Sequence, residues 1–147
     1  MSQAQTLSAA SVQRSNRAAY RKTKRIDFET AHLDVDLVFR PSGKRSAIAE
    51  FLQAMHEMLE AERRIDPSMG LLIAAALLIK TFTTLTTNAQ GYRDLLELAC
   101  ALEDGGYLGT ILNAFEPAEL EKFYAELNEA IRMAGENLNE VMDDGGR

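Results

Sequence analysis

From Met69 to Ile79 the chain sets eleven residues in a row without a polar side chain, the longest such run in its 147 residues. Asp66-Pro67 stands just before it, Asp66 suited to cap a helix and Pro67 to occupy its first position. Leu71, Leu72, Ile73, Leu77, Leu78, Ile79, Phe82 and Leu85 then fall on every side of that helix, with Lys80 its only charge. A helix apolar all round is stable only where other elements cover it. It is also too short to span a bilayer, which takes about 20 apolar residues. The rest of the chain must therefore be organised around it as a core. That requirement selects a mainly α fold, a small bundle of four to five helices.

The flanking sequence supplies the covering elements. Ile48, Phe51, Leu52, Met55 and Leu59 recur at helical spacing, which predicts a helix of about 20 residues after Arg40-Pro41-Ser42-Gly43. Thr81 to Thr87 is rich in β-branched residues and is expected to fray or run extended after the central helix. Tyr92, Leu95, Leu96, Ala99 and Leu102 mark an amphipathic helix stopped by Gly105-Gly106, read as a hinge. A short helical piece with Leu108, Ile111, Leu112 and Phe115 follows. Pro117 opens the last helix, in which Leu120, Tyr124, Leu127, Ile131, Ala134, Leu138 and Val141 recur in alternating steps, the seam of a coiled coil or helical hairpin.

Before the helices, Ile26, Phe28 and Thr30 alternate with acids, and Leu33, Val35, Leu37 and Phe39 continue the period of two of a half-buried strand, so one strand or a short ribbon lies here. A lone strand cannot satisfy its backbone groups and must pair with another segment of this chain or with the same strand of a second chain. No later segment reads as its partner, which points to a ribbon between two copies of the chain. The chain is accordingly expected to be a homodimer.

Charge is distributed unevenly. Residues 1–25 hold Arg14, Arg17, Arg21, Lys22, Lys24 and Arg25 and no acid, while residues 116–147 hold nine acids against three bases. Leu7, Val12 and Tyr20 are the only bulky apolar side chains in the first segment besides the initiating Met1, too few to offset ordering entropy. The division expected is a flexible, disordered basic arm over 1–25 and a single helical domain over 26–147. The arm lacks the continuous apolar stretch of a secretory signal, although its Ser, Ala and Arg content resembles a mitochondrial transit peptide. Cys100 is the single cysteine, which precludes an internal disulfide and points to a reducing, cytoplasmic setting.

Catalytic motifs are missing where their spacing can be checked. Gly43-Lys44 is not a phosphate loop, because Val38 stands where an earlier glycine is needed and Arg45 where Ser or Thr is needed. His56-Glu57 lacks the second histidine of a zinc protease, and the two Glu-x-x-His motifs that a di-iron bundle needs do not occur, Glu29-Thr30-Ala31-His32 being a single such spacing. Cys100 lies in the apolar stretch Leu98 to Leu102, where burial makes a thiol inert. The chain is read as a non-enzyme, with no metal, no cofactor and no membrane partner.

The order of basic arm, alternating strand ending Leu37-Val38-Phe39, turn Arg40-Pro41-Ser42-Gly43-Lys44-Arg45 and helix resembles the ribbon-helix-helix DNA-binding proteins over some 50 residues. That resemblance implies paired strands of a dimer entering the major groove, with Arg40, Lys44 and Arg45 on the phosphate backbone. Asp34 and Asp36 depart from it, since they put acids in the strand that would approach DNA.

The leading functional expectation is a nucleic-acid-associated accessory or regulatory protein. Arg14, Arg17, Arg21, Lys22, Lys24 and Arg25 would neutralise phosphates and Tyr20 would stack on a base. The alternative is a protein–protein adaptor or assembly factor that docks a helical partner along Leu127, Ile131, Leu138 and Val141.

Overall fold

The computed structural model describes residues 6–145, with side chains described through 136. In chain order the elements are α1 (Ala9–Tyr20), β1 (Thr23–Asp27), β2 (His32–Asp36), α2 (Pro41–Glu62), α3 (Pro67–Phe82), α4 (Gly91–Asp104), α5 (Tyr107–Ala114) and α6 (Pro117–Gly145). The fold is mainly α, with six helices and a two-stranded antiparallel sheet among the described residues.

The apolar run is the centre. Ile73 through Ile79 and Phe82 are all buried in α3, which packs between α2 and α4. Asp66 caps the helix, its carboxylate accepting from the Ser68 and Met69 N–H groups, with Pro67 in the first turn. Lys80, its one charge, donates to Glu50 at 2.7 Å and to the Ala89 carbonyl at 2.8 Å. Such pairing is what lets a cation sit at the edge of an apolar helix. The chain leaves the helix extended at Thr83, as the β-branched run predicts, and Thr83 bridges to Val35.

One expectation about the N-terminal region is corrected. The strand has its partner inside the chain: β1 pairs with β2, Arg25 opposite Asp34 and Ile26 opposite Leu33, and the Phe28 N–H closes the turn on the Ala31 carbonyl at 2.7 Å. A ribbon between two chains is therefore not needed to satisfy β2, whose Leu33 and Val35 face the core as their alternation implies. The basic segment 1–25 contains a helix and the start of a strand. Ser8 and Ser11 form a reciprocal capping box that starts α1, and β1 runs across the expected boundary at residue 25. Helix α1 nonetheless buries none of its residues, and residues 1–5 lie outside the described part.

Aromatic packing fixes the junction of β2, α2 and α6. The Phe39 ring stacks on Phe82 with centroids 4.0 Å apart and meets Phe115 edge-on at 5.3 Å. A Cβ at Gly43 would stand 2.9 Å from the Phe82 ring, so packing accounts for this glycine. Beside it, the buried Glu119 of α6 accepts the Phe39 N–H at 2.8 Å and pairs with Lys122 at 3.1 Å. Burial works against the Glu119 charge, but the Phe39 N–H, Lys122 and Lys44 outweigh it and hold the carboxyl below the ordinary glutamate range.

Two outcomes follow from this junction. Gly43→Ala is expected to cost about 1–3 kcal/mol in chemical denaturation, the usual penalty of overpacking, and an unchanged midpoint would show that the rings yield. Glu119 stabilises the fold fully above the unfolded glutamate value of about 4.3 and loses that contribution as pH falls through its lower folded value. Glu119→Ala is expected to cost about 1–3 kcal/mol at neutral pH by orphaning the Phe39 N–H. Its unfolding free energy measured against pH should lie closer to wild type in acid than at neutrality.

Candidate functional site

Two surface features stand apart from the core. The first gathers residues that the sequence places twenty positions apart. Alanine and arginine favour helix, so the capped α1 continues to Tyr20 and sets Arg14, Arg17 and Arg21, spaced by three and four, along one face. Asn16, Arg17, Tyr20 and Arg21 then line an open cleft of about 350 Å³ together with Arg40. Arg40 is the N-cap of α2, where it makes no side-chain cap hydrogen bond and no acid follows in the first turn. The fixed partial positive charge of that helix end therefore adds to three guanidiniums. Tyr20 is half-buried, whereas Arg14, Arg17, Arg21 and Arg40 are exposed.

The acids of the hairpin are partly neutralised. Asp34 accepts from Arg25 Nε at 3.0 Å, and this hydrogen bond holds its carboxyl below the ordinary aspartate range. Burial pushes the Asp36 carboxyl up, against the pull of nearby Arg40. Arg25 is thus committed to Asp34, whereas Lys22 and Lys24 are exposed at the sheet edge.

Lys44, one of the expected phosphate contacts, is engaged within the fold. Its ammonium lies 3.1 Å from Glu126 with the side chain only 12% exposed, so it ties α2 to α6. Arg45 remains exposed on the next position of α2. With the ribbon closed inside one chain and Lys44 in an ion pair, the likeness to ribbon-helix-helix proteins does not extend to their topology.

The second feature was not foreseen as a cavity. The C-terminal half of α2, the start of α3 and the middle of α6 enclose an apolar groove of about 710 Å³. Phe51, Met55 and Leu59 of α2, Leu71 and Ala74 of α3, and Leu127, Ile131 and Ala134 of α6 line it. Leu71 is 67% exposed and Ile131 41% exposed, with Ile65 and Leu59 also open to solvent. Of the seam residues expected to meet a partner, Leu127 is buried against the body and Ile131 is open. Leu138 and Val141 lie outside the residues whose side chains are described.

At the rim of the groove His56, one of its lining residues, pairs with Glu60 at 3.0 Å on the exposed side of α2. No cluster of potential metal ligands occurs among the described residues. Cys100 is half-buried. No described helix is long and apolar enough to cross a membrane.

The sequence model of the YomO family matches residues 9–145, from the first residue of α1 to the last of α6. The chain belongs to the YomO family. The matched span takes in both the basic helix and the end of α6, so both surface features are built from residues within it. No curated protein and no solved structure matches the chain.

Proposed function

We propose that this chain is a homodimeric, non-enzymatic nucleic-acid-binding accessory protein. The observation that carries the reading is the cleft, where Arg17, Arg21 and Arg40 surround the half-buried Tyr20. Guanidiniums in that number bind phosphate oxygens bidentately, and an aromatic face among them accepts a base. The overall charge of −6 repels nucleic acid elsewhere on the surface, which confines contact to this patch. Arg14, Lys22, Lys24 and Arg45 extend the same positive field outward.

Arg17→Ala with Arg21→Ala is expected to abolish most binding to single-stranded RNA and duplex DNA, and to lower the salt slope by about two. Because α1 buries no residue, its thermal midpoint should not move. Tyr20→Ala should weaken single-strand binding by about 1–3 kcal/mol, the worth of one stacked base, and duplex binding less. Absence of binding at low salt, or binding indifferent to both arginines, overturns the reading.

The apolar groove favours a second reading, docking of an amphipathic helix from another polypeptide. Leu71→Asp should then abolish docking while changing stability by no more than about 0.5 kcal/mol, as expected of an exposed position. Docking that survives this substitution in a normally stable variant counts against the groove.

A further inference from the structure

The positive surface around the arginine cleft has a beginning and an end. Arg14 stands one turn before Arg17 on the same face of α1, and Lys22 and Lys24 follow that helix, all of them exposed. Arg40 is where the run of cations stops. The residues on either side of it in the sequence are held by acids of α6, the Phe39 N–H by Glu119 at 2.8 Å and the Lys44 ammonium by Glu126 at 3.1 Å. Arg45 lies about 140° further round the axis of α2 than Arg40, at about 100° per residue. A strand running on past Arg40 in either direction along α6 therefore meets carboxylates, whereas a strand that stops at Arg40 meets only the cations leading to it.

The charge inside the cleft points the same way. Arg17, Arg21 and Arg40 bring three guanidiniums to a space of about 350 Å³. A Cβ on Gly43 would lie 3.3 Å from Arg40 Nη2, so this guanidinium folds back over the first turn of α2. Asp36, close to Arg40, offsets one of the three charges and leaves a surplus of about two. An internal phosphodiester carries one negative charge. A terminal phosphate carries about 1.5–2 and offers three acceptor oxygens, one for each guanidinium. The volume lies at the low end of the roughly 300–1,000 Å³ of small-molecule sites, which suits one nucleotide better than a passing strand.

We propose that the cleft takes the phosphorylated end of a single-stranded nucleic acid, with the terminal phosphate among Arg17, Arg21 and Arg40 and the end base on Tyr20. The phosphates that follow lie along Arg14, Lys22 and Lys24. This rests on the nucleic-acid reading above and names the part of the strand that is bound. Asn16, also in the cleft, supplies an amide donor and acceptor to the end nucleotide.

The test is binding of the full chain to one short single-stranded oligonucleotide, as RNA and as DNA, labelled internally. Its first nucleotide, its last or neither carries a terminal phosphate, and a fourth form is closed into a circle. One phosphorylated end is expected to bind about tenfold tighter or more than the hydroxyl-ended and circular forms, the worth of one added charge-assisted hydrogen bond. Arg40→Ala should remove that preference while leaving the hydroxyl-ended strand bound through α1. Helical circular dichroism should be unchanged, because Arg40 makes no side-chain cap hydrogen bond. A mononucleotide, which lacks the internal phosphates, should compete poorly. If it competes as well as the phosphorylated strand, the ligand is a free nucleotide and the strand-end assignment fails. Equal binding of all four forms also overturns the assignment and leaves the nucleic-acid reading standing on internal phosphates. Absence of binding by every form at low salt overturns both.

Discussion

Covering α3 is the constraint to which everything else in this molecule answers. Its residues from Ile73 to Ile79 are all withdrawn from solvent, and each fully buried Leu or Ile contributes about 1.5–3 kcal/mol relative to exposure. No single neighbour can cover such a surface. Helices α2 and α4 take its two broad sides, the hairpin closes on its end through the Val35–Thr83 bridge, and Phe39 lies flat on Phe82. The position of the hairpin is thus a consequence of the central helix. Asp34 exchanges hydrogen bonds with Thr84 directly after it, the Thr84 N–H donating to the Asp34 carbonyl and the Asp34 N–H donating to Thr84 Oγ1.

Elements not needed for that cover are left to the surface, and they are the ones with functional promise. Helix α1 buries nothing and keeps its arginines in water. Helix α6 contributes Phe123 and Leu127 to the core and then leaves it. Its departure from α2 and α3 opens the groove, because no element of the same chain fills the angle among the described residues. Peripheral helices of this kind are free to carry charge or apolar seams that a core helix could not tolerate.

Much of this was legible in the sequence, for local reasons. Asp66-Pro67 and Gly105-Gly106 carry their cap and stop chemistry wherever they occur, and Leu33 and Val35 alternate because only one face of β2 is buried. What was not legible depended on distant partners. Ile26 shows in the alternation of the strand reading, but Thr23, Lys24 and Arg25 carry no apolar signal, and that half of β1 exists because β2 lies beside it. Helix α1 did leave a signal, the Ser8–Ser11 box, which a reading weighted toward apolar content passes over. Lys44 looked like a phosphate ligand until folding brought Glu126 to it. Likewise Arg40 joins Tyr20 only because the hairpin returns the chain to the foot of α2. The groove has no local signature at all, since it is the space between three helices.

The two surface features share one helix, and this bears on whether both can operate together. Arg40 caps the N-terminus of α2, whereas the groove is lined by Phe51 to Leu59 on the same helix. At 1.5 Å per residue the two are separated along the helix axis by about 17–29 Å. That is at least about two Debye lengths at physiological salt, so a charged partner seated in the groove would be screened from the arginine cleft and would leave it unobstructed. On the proposed function, a homodimer would carry two such clefts, and the second contact would form at a raised effective concentration once the first had formed. A small basic helix that would hold nucleic acid weakly by itself would then act as part of a bivalent surface, with α2 as the element that separates the cleft from the groove.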